Sequence, residues 1–288
     1  KNHNKNWEDY WKRKDTELIH FIGKDNIVFH CIIFPAMLKA HGNYIFPTNV
    51  PANEFLNLEG RKISTSRNWA VWLHEYLIDF PEQQDVLRYV LCANAPENKD
   101  NDFTWKDFQS RNNNELVAIL GNFINRVFVL CHKYWDGQVP EKGEMEKIDT
   151  EIIAKIQSAP KDIGSLIEEF KFRAAIQALM DLARSGNKYL ADTEPWKLIK
   201  SNEQSHRTKT ILNISIQLTA TLSALCRPFM PSTSRKIIDM LGVVNPMWNC
   251  PNASQRVLAG HKINKPSLLF TQIDDEQIEK QIAKLKQD

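Results

Sequence analysis

The sequence lacks most of the features that would settle its class at once. Its five cysteines, at 31, 92, 131, 226 and 250, are odd in number, and no two stand in C-x-x-C spacing. Neither a disulfide framework nor a zinc site follows, and a reducing cytoplasm is the natural setting. Net charge is only +2, so charge alone announces no nucleic-acid partner, although a basic patch can sit inside that balance. No apolar run approaches membrane-spanning length, and no membrane partner is expected. The opening "KNHNKNWEDYWKRK" has neither a Met nor a signal-peptide pattern, and reads as a cut into a longer protein. Internal repeats and low-complexity tracts are absent as well.

What is present is enough length, 288 residues, for a sizeable core and two domains. "ELIHFIG" (17–23) reads as a buried strand. "DNIVFHCIIFPAMLKAHG" (25–42) reads as a helix capped by Asp25, ended by Gly42, and kinked or broken at Pro35. "NEFLNLEG" (53–60) reads as the returning strand, which makes a β-α-β unit and predicts parallel pairing. Beyond residue 70 the apolar residues recur at three- and four-residue spacing, from "AVWLHEYLIDF" to "SHRTKTILNISIQLTATLSALCRPFM", with Pro and Gly clusters between segments. This half predicts a helical bundle, closed by an amphipathic "DDEQIEKQIAKLKQ".

Three stretches carry candidate chemistry. Gly23, Lys24 and Asp25 stand at the carboxyl end of the first strand, where open parallel sheets bind ligands. Lys24 can meet phosphate and Asp25 a ribose; equally, Gly23 can make a plain turn and Asp25 a cap. His30 lies alone on the apolar helix that follows, a pattern common to core histidines and ligand contacts. "GRKISTSRNW" (60–69) offers Lys62 as a point charge and Ser64, Thr65 and Ser66 as hydroxyl donors behind a Gly. Such a loop can stabilise shifting phosphate charge, and it also fits a solvated turn. In the helical half, Asn122, Arg126 and Lys133 share one flank of the helix whose apolar stripe is Leu116, Ile119, Leu120, Phe123, Val127 and Leu130. Trp196 follows Thr193, a possible cap, and Pro195, which suits a first turn. It can pack in a core or stack on an unstacked base.

The order of "WEDYWK", "HFIGKDNIVFH", "FPAMLKA", "LNLEGRKISTSRN", "LGNFINRV", "WDGQVP", "EPWKL" and "RPFMP" resembles that of the methionyl-tRNA synthetases, a class I aminoacyl-tRNA synthetase family, across nearly the whole chain. The resemblance implies a mostly α fold: the β-α-β remnant of a Rossmann-like nucleotide-binding domain (1–70), a helical, stem-contacting connection (71–102), and an α-helical anticodon-binding bundle with a C-terminal helix (103–288). It implies that Gly23, Lys24 and Asp25 face the adenylate, that His30 lines a methionine pocket, and that Lys62, Ser64, Thr65 and Ser66 belong to the mobile ATP loop. Asn122, Arg126 and Trp196 would read the anticodon of tRNA(Met), chiefly its cytosine. Two departures stand out. Thr65 replaces the second Lys of the family's Lys-Met-Ser-Lys-Ser signature, leaving Arg61, Lys62 or Arg67 to supply charge, and the first signature, His-x-Gly-His, does not occur. The resemblance therefore implies a cytoplasmic ligase using ATP, Mg²⁺ and methionine, of which this chain binds tRNA but does not form adenylate alone. A stand-alone RNA-binding module, or another class I synthetase, are the rival readings.

Overall fold

A computed structural model of the chain describes residues 6–200, 205–244, 247–249 and 256–285; Cys250 and both extreme ends lie outside these. The chain divides into two compact units, Lys1–Ile63 with Ala95–Asp102, and Ser64–Asn94 with Phe103–Asp288. It is mostly helical, and the few strands are short.

The first unit begins with α1 (Glu8–Trp11) and the strands β1 (Leu18–Ile19) and β2 (Ile22–Gly23). The single buried strand expected over 17–23 is thus interrupted at His20 and Phe21, and it is only partly covered. The crossover is also more segmented than one kinked helix. A 3₁₀ turn, Lys24–Asn26, leads to a π-helical turn, Phe29–Ile33, and then to α2 (Phe34–His41), which ends at Gly42 with φ 83°. Asp25 lies inside the opening turn; the extended residue before it is Gly23, so Asp25 is not the cap. Pro35 falls in the first turn of α2, where its missing N–H is not needed. The wide turn before it replaces the kink.

Parallel pairing forms as expected, between β1 and β3 (Pro47–Asn49) and between β2 and β4 (Ala52–Asn53). The returning strand therefore lies at 47–53 and not at 53–60. Residues 56–62 form a hairpin, in which β5 (Leu56–Leu58) meets β6 (Arg61–Lys62) antiparallel. Glu59 and Gly60 at its tip both have positive φ, 48° and 73°. Two successive left-handed residues match the right-handed twist of a tight hairpin. β7 (Asn101–Phe103) completes the order β6-β5-β7.

The second unit is mainly helical among the described residues: α3 (Leu73–Asp79) and α4 (Gln84–Ala93) come first, followed by α5 (Trp105–Arg111). A π-helical stretch, Asn112–Gly121, joins α5 to α6 (Asn122–Trp135), so that one helix runs for 31 residues. By length and composition that helix could cross a membrane, which the sequence reading did not anticipate. Its apolar stripe is core: Leu116, Leu120, Phe123, Ile124, Val127 and Phe128 are all buried.

α7 (Lys147–Glu168) runs straight through Pro160, where the sequence suggested a break. The chain turns instead at Phe170, with φ 60°. The Pro160 carbonyl accepts a hydrogen bond from Trp248 Nε1 at 2.9 Å, and a Cβ at Gly164 would come within 3.3 Å of that indole nitrogen. α8 (Phe172–Thr193) and α9 (Pro195–Leu198) follow, then α10 (Ser205–Cys226), α11 (Pro231–Leu241) and α12 (Asp275–Lys284). α12 opens on a reciprocal cap between Asp274 and Gln277 and is strapped at both ends. Asp275 accepts from Gln109 and Lys106 of α5, while Lys284 and Gln281 both reach Asp79 of α3.

One fully buried carboxylate ties three helices together. Asp149 takes hydrogen bonds from Tyr189 Oη on α8, from Arg207 Nη1 and Nη2 on α10 at 2.6 and 3.0 Å, and from the Glu146 backbone N–H that caps its own helix, α7. Burial and this carboxylate drive the Tyr189 hydroxyl far above its usual range. Removing one partner of such a pair strands the other charge in a poorly solvated place. Asp149→Ala should therefore lower the unfolding free energy by about 3–5 kcal/mol, read as the shift in a urea melt. A loss under about 1 kcal/mol, the range of a surface ion pair, would show that the cluster is not a structural tie.

Candidate functional site

In the first unit the sequence placed Gly23, Lys24, Asp25 and His30 at a ligand edge. A Cβ at Gly23 would lie 2.7 Å from Asp25 Oδ1, so a side chain there would push the Asp25 carboxylate aside. Asp25 itself is exposed. Lys24 is already engaged: its ammonium pairs with Glu54 and, at 2.7 Å, with Asp100, and it lies 4.4 Å above the Phe55 ring. Those carboxylates hold the Lys24 pKa above its ordinary value, the hydrogen bond that Lys24 donates to Asp100 contributing most. Lys62 approaches the same Phe55 ring, at 5.8 Å. The two lysines that the sequence assigned to phosphate thus flank one aromatic ring, and the nearer one would have to exchange carboxylates for phosphate.

His30 is not isolated. Its Nδ1 lies 3.1 Å from Nδ1 of His20, with the rings edge to face at 4.9 Å, and His20 also leans on Phe34. Sequence reasoning missed His20, although "HFIGKDNIVFH" starts and ends on the two residues. The strand break at His20 and the turn at Lys24–Asn26 are what fold the segment back on itself.

The signature loop is a tied turn. Ser64 and Trp69 exchange backbone hydrogen bonds of 2.9 Å in both directions, enclosing the 3₁₀ turn Thr65–Arg67. Asn68 takes the left-handed conformation, with φ 50°, and accepts from Trp72 Nε1 at 2.8 Å. Ser64 Oγ and Ser66 Oγ are 3.2 Å apart, and Thr65 and Ser66 face solvent. The hydroxyls are therefore presented together from a closed frame, with Lys62 exposed on the strand before it.

In the second unit, Arg126 and Trp196 come together. The guanidinium carbon sits 4.8 Å from the centroid of the Trp196 ring. Neither residue is buried, whereas Pro195 beneath them is. Glu194, in the left-handed conformation with φ 42°, turns the chain from α8 into α9; it holds the cap position that the sequence gave to Thr193. Thr193 instead donates to the Tyr189 carbonyl. Asn122 is exposed one turn before Arg126, and its Nδ2 donates to Asn187 Oδ1 at 3.4 Å. Asn187 is a second residue that the sequence reading missed. Lys133 is exposed on the same flank, its ammonium 5.2 Å from the Tyr134 ring. A groove of about 420 Å³, lined by Asn113, Val117, Asn122, Asn125, Phe270 and Gln272, opens beside Asn122. Among the described residues no group of three His, Cys, Asp or Glu side chains is placed to hold a metal ion.

Residues 139–287 match the model of the anticodon binding domain of methionyl tRNA ligase. The chain belongs to that family. Residues 1–128 match a second model, that of class I tRNA synthetases of the M type. A methionine–tRNA ligase from Christiangramia forsetii is 62% identical over 98% of this chain, and one from Flavobacterium psychrophilum is 60% identical over 98%. The chain spans only 42% and 41% of those two relatives. Among solved structures, Mycobacterium tuberculosis methionyl-tRNA synthetase in complex with methionyl-adenylate superposes with a TM-score of 0.82 at 27% identity, covering 89% of this chain and 50% of that one. The free-state structure of the same synthetase gives 0.80 at 25% identity, covering 91% and 50%.

The histidine pair carries a pH prediction. Burial, and then the charge of His30, hold the His20 pKa below the usual histidine range. The folded chain thus binds that proton more weakly than the unfolded chain does. The stability from the neutral His20 imidazole is complete above about pH 6.5 and is lost as pH falls through the lower, folded value. An NMR titration should find the His20 imidazole midpoint below that of an exposed histidine, and His20→Gln should flatten the acid side of the stability profile. A midpoint at or above the ordinary value would contradict the assignment.

Proposed function

We propose that the longer protein joins methionine to its tRNA with ATP, through an aminoacyl-adenylate, in the cytoplasm. This chain supplies its anticodon reader and its second nucleotide-binding loop. The observation that carries the reading is the Arg126 guanidinium lying over the Trp196 indole, both half-buried, with Arg126 one helical turn from the exposed Asn122. An indole face stacks any base, while a guanidinium and an amide together supply the donors and acceptor that tell one base edge from another. On binding, a base stacks on the indole and the guanidinium swings from ring to base edge. The groove beside Asn122 leaves room for an unstacked neighbour.

In the intact enzyme ATP arrives with Mg²⁺ as substrate. The paired hydroxyls of Ser64 and Ser66, with Thr65, would donate to phosphate oxygens, and Lys62 would supply charge, helped by Arg61 or Arg67 where the family signature has a second Lys. Gly23 would let the backbone approach the nucleotide, with Asp25 at its sugar and Lys24 at its phosphates. His30, held by His20, would line the methionine pocket. The positioning of the two substrates, and not new covalent chemistry from the protein, would supply most of the acceleration.

Two measurements test this. Trp196→Ala and Arg126→Ala should each weaken binding of a CAU anticodon stem-loop by about 1–3 kcal/mol, with little change for an unrelated anticodon. Equal loss for every anticodon would mark both residues as structural or as general phosphate contacts. The purified chain should also show no methionine-dependent exchange of pyrophosphate into ATP; measurable exchange would place the whole adenylation site within these residues.

A further inference from the structure

We infer that Asn187, on α8, is a positioning residue that fixes the side-chain amide of Asn122 so that the first anticodon base is read as cytosine and not as uracil. The inference rests on the anticodon reading above and adds to it the origin of the choice between the two pyrimidines.

The orientation follows from donor and acceptor counting. Asn187 Nδ2 lies 2.9 Å from the Ile119 carbonyl and 3.4 Å from the Ala183 carbonyl. Carbonyl oxygens only accept, so the end of the Asn187 amide that faces them must be its NH₂. The opposite end, Oδ1, then faces Asn122 at 3.4 Å and can only accept, so Asn122 must turn its own NH₂ towards Asn187. Neither amide has to be assigned from its shape, because the two backbone carbonyls decide both. Asn122 is left with Oδ1 as the end directed away from α8, on an exposed flank one turn from Arg126.

An outward acceptor selects between pyrimidines. Cytosine carries an amino donor at the position where uracil carries a carbonyl acceptor; beside it N3 accepts in cytosine and donates in uracil, and only O2 accepts in both. Asn122 Oδ1 pairs with the first and meets the second oxygen to oxygen. An amide free to rotate would offer NH₂ to the uracil carbonyl and lose the distinction made at that position. The local backbone supports the arrangement. The Ile119 carbonyl belongs to the π-helical stretch that ends just before Asn122, and such wide turns present carbonyls differently from an α-helix. α8 reaches it because Gly186 has no side chain: a Cβ there would lie 2.7 Å from Phe123 and from Leu218.

The test measures binding of CAU and UAU anticodon stem-loops to the chain and to its variants. The unaltered chain should prefer CAU. Asn187→Ala, and the near-isosteric Asn187→Leu in case the first folds poorly, should reduce the CAU-to-UAU preference by about tenfold, chiefly by strengthening UAU. Adding Asn122→Asp to Asn187→Ala should restore the preference, because a carboxylate presents only acceptors whichever way it turns. Its extra negative charge should weaken both RNAs alike. A preference unchanged in the Asn187 variants, or equal losses for both RNAs, would overturn the inference while leaving the anticodon reading standing. Absence of any CAU preference in the unaltered chain would instead overturn that reading.

Discussion

The second unit is organised by how closely α8 approaches the long helix that ends in α6. Gly186 sets that distance: its missing side chain is filled by Phe123 from one helix and Leu218 from α10. With α8 seated at this depth, Asn187 meets the Ile119 carbonyl, and the turn at Glu194 delivers Trp196 above Arg126. The buried Asp149 cluster holds the same helix one turn further on, through Tyr189. Polar residues exposed on two different elements can form one recognition surface only if the apolar contact beneath them permits a single spacing. Close-packed interiors, which respond to the loss or gain of one methyl group, provide that.

Much of this was legible in the sequence, though unevenly. The three- and four-residue spacing placed the helices of the second unit, and the flank shared by Asn122 and Arg126 followed from helical geometry. That Trp196 would meet Arg126 came only from resemblance, since nothing in local pattern reports a distance between α6 and α9. Helix ends were harder. Pro160 looked like a stop, yet α7 continues through it, and its contact with Trp248 lies far along the chain. Asn187 was invisible for the same reason: a lone Asn in "ARSGNKYL" is an unremarked polar residue until two carbonyls are found opposite it.

The first unit was misread in register more than in kind. The β-α-β pattern formed, but its returning strand came earlier, because the positive-φ pair Glu59 and Gly60 turned the later segment into a hairpin. Gly60 pins that hairpin through its N–H, which donates to both carboxylate oxygens of Asp102 at 3.0 and 2.9 Å. Lys24 looked available to phosphate because Glu54 and Asp100 are distant in sequence. A lysine held between two carboxylates carries its charge at little electrostatic cost until an anion competes for it, so its hold on phosphate would weaken and strengthen with the geometry of those acids.

α10 is enclosed on nearly every side, and its hydroxyls are satisfied by its own backbone: Ser215, Thr219 and Thr221 each donate to a carbonyl one turn back. That makes the helix self-sufficient in polar bonding once it is wrapped. Before it is wrapped, the segment "ISIQLTATL" (214–222) alternates apolar and polar residues, is rich in β-branched side chains, and has no charge, proline or glycine. Such a composition suits cross-strand stacking between chains at least as well as a helix. The most protected element of the folded unit is therefore the one that a ribosome-bound or heat-damaged chain can least safely expose. α7, α8 and α11 act, in effect, as the resident chaperones of the helix they surround.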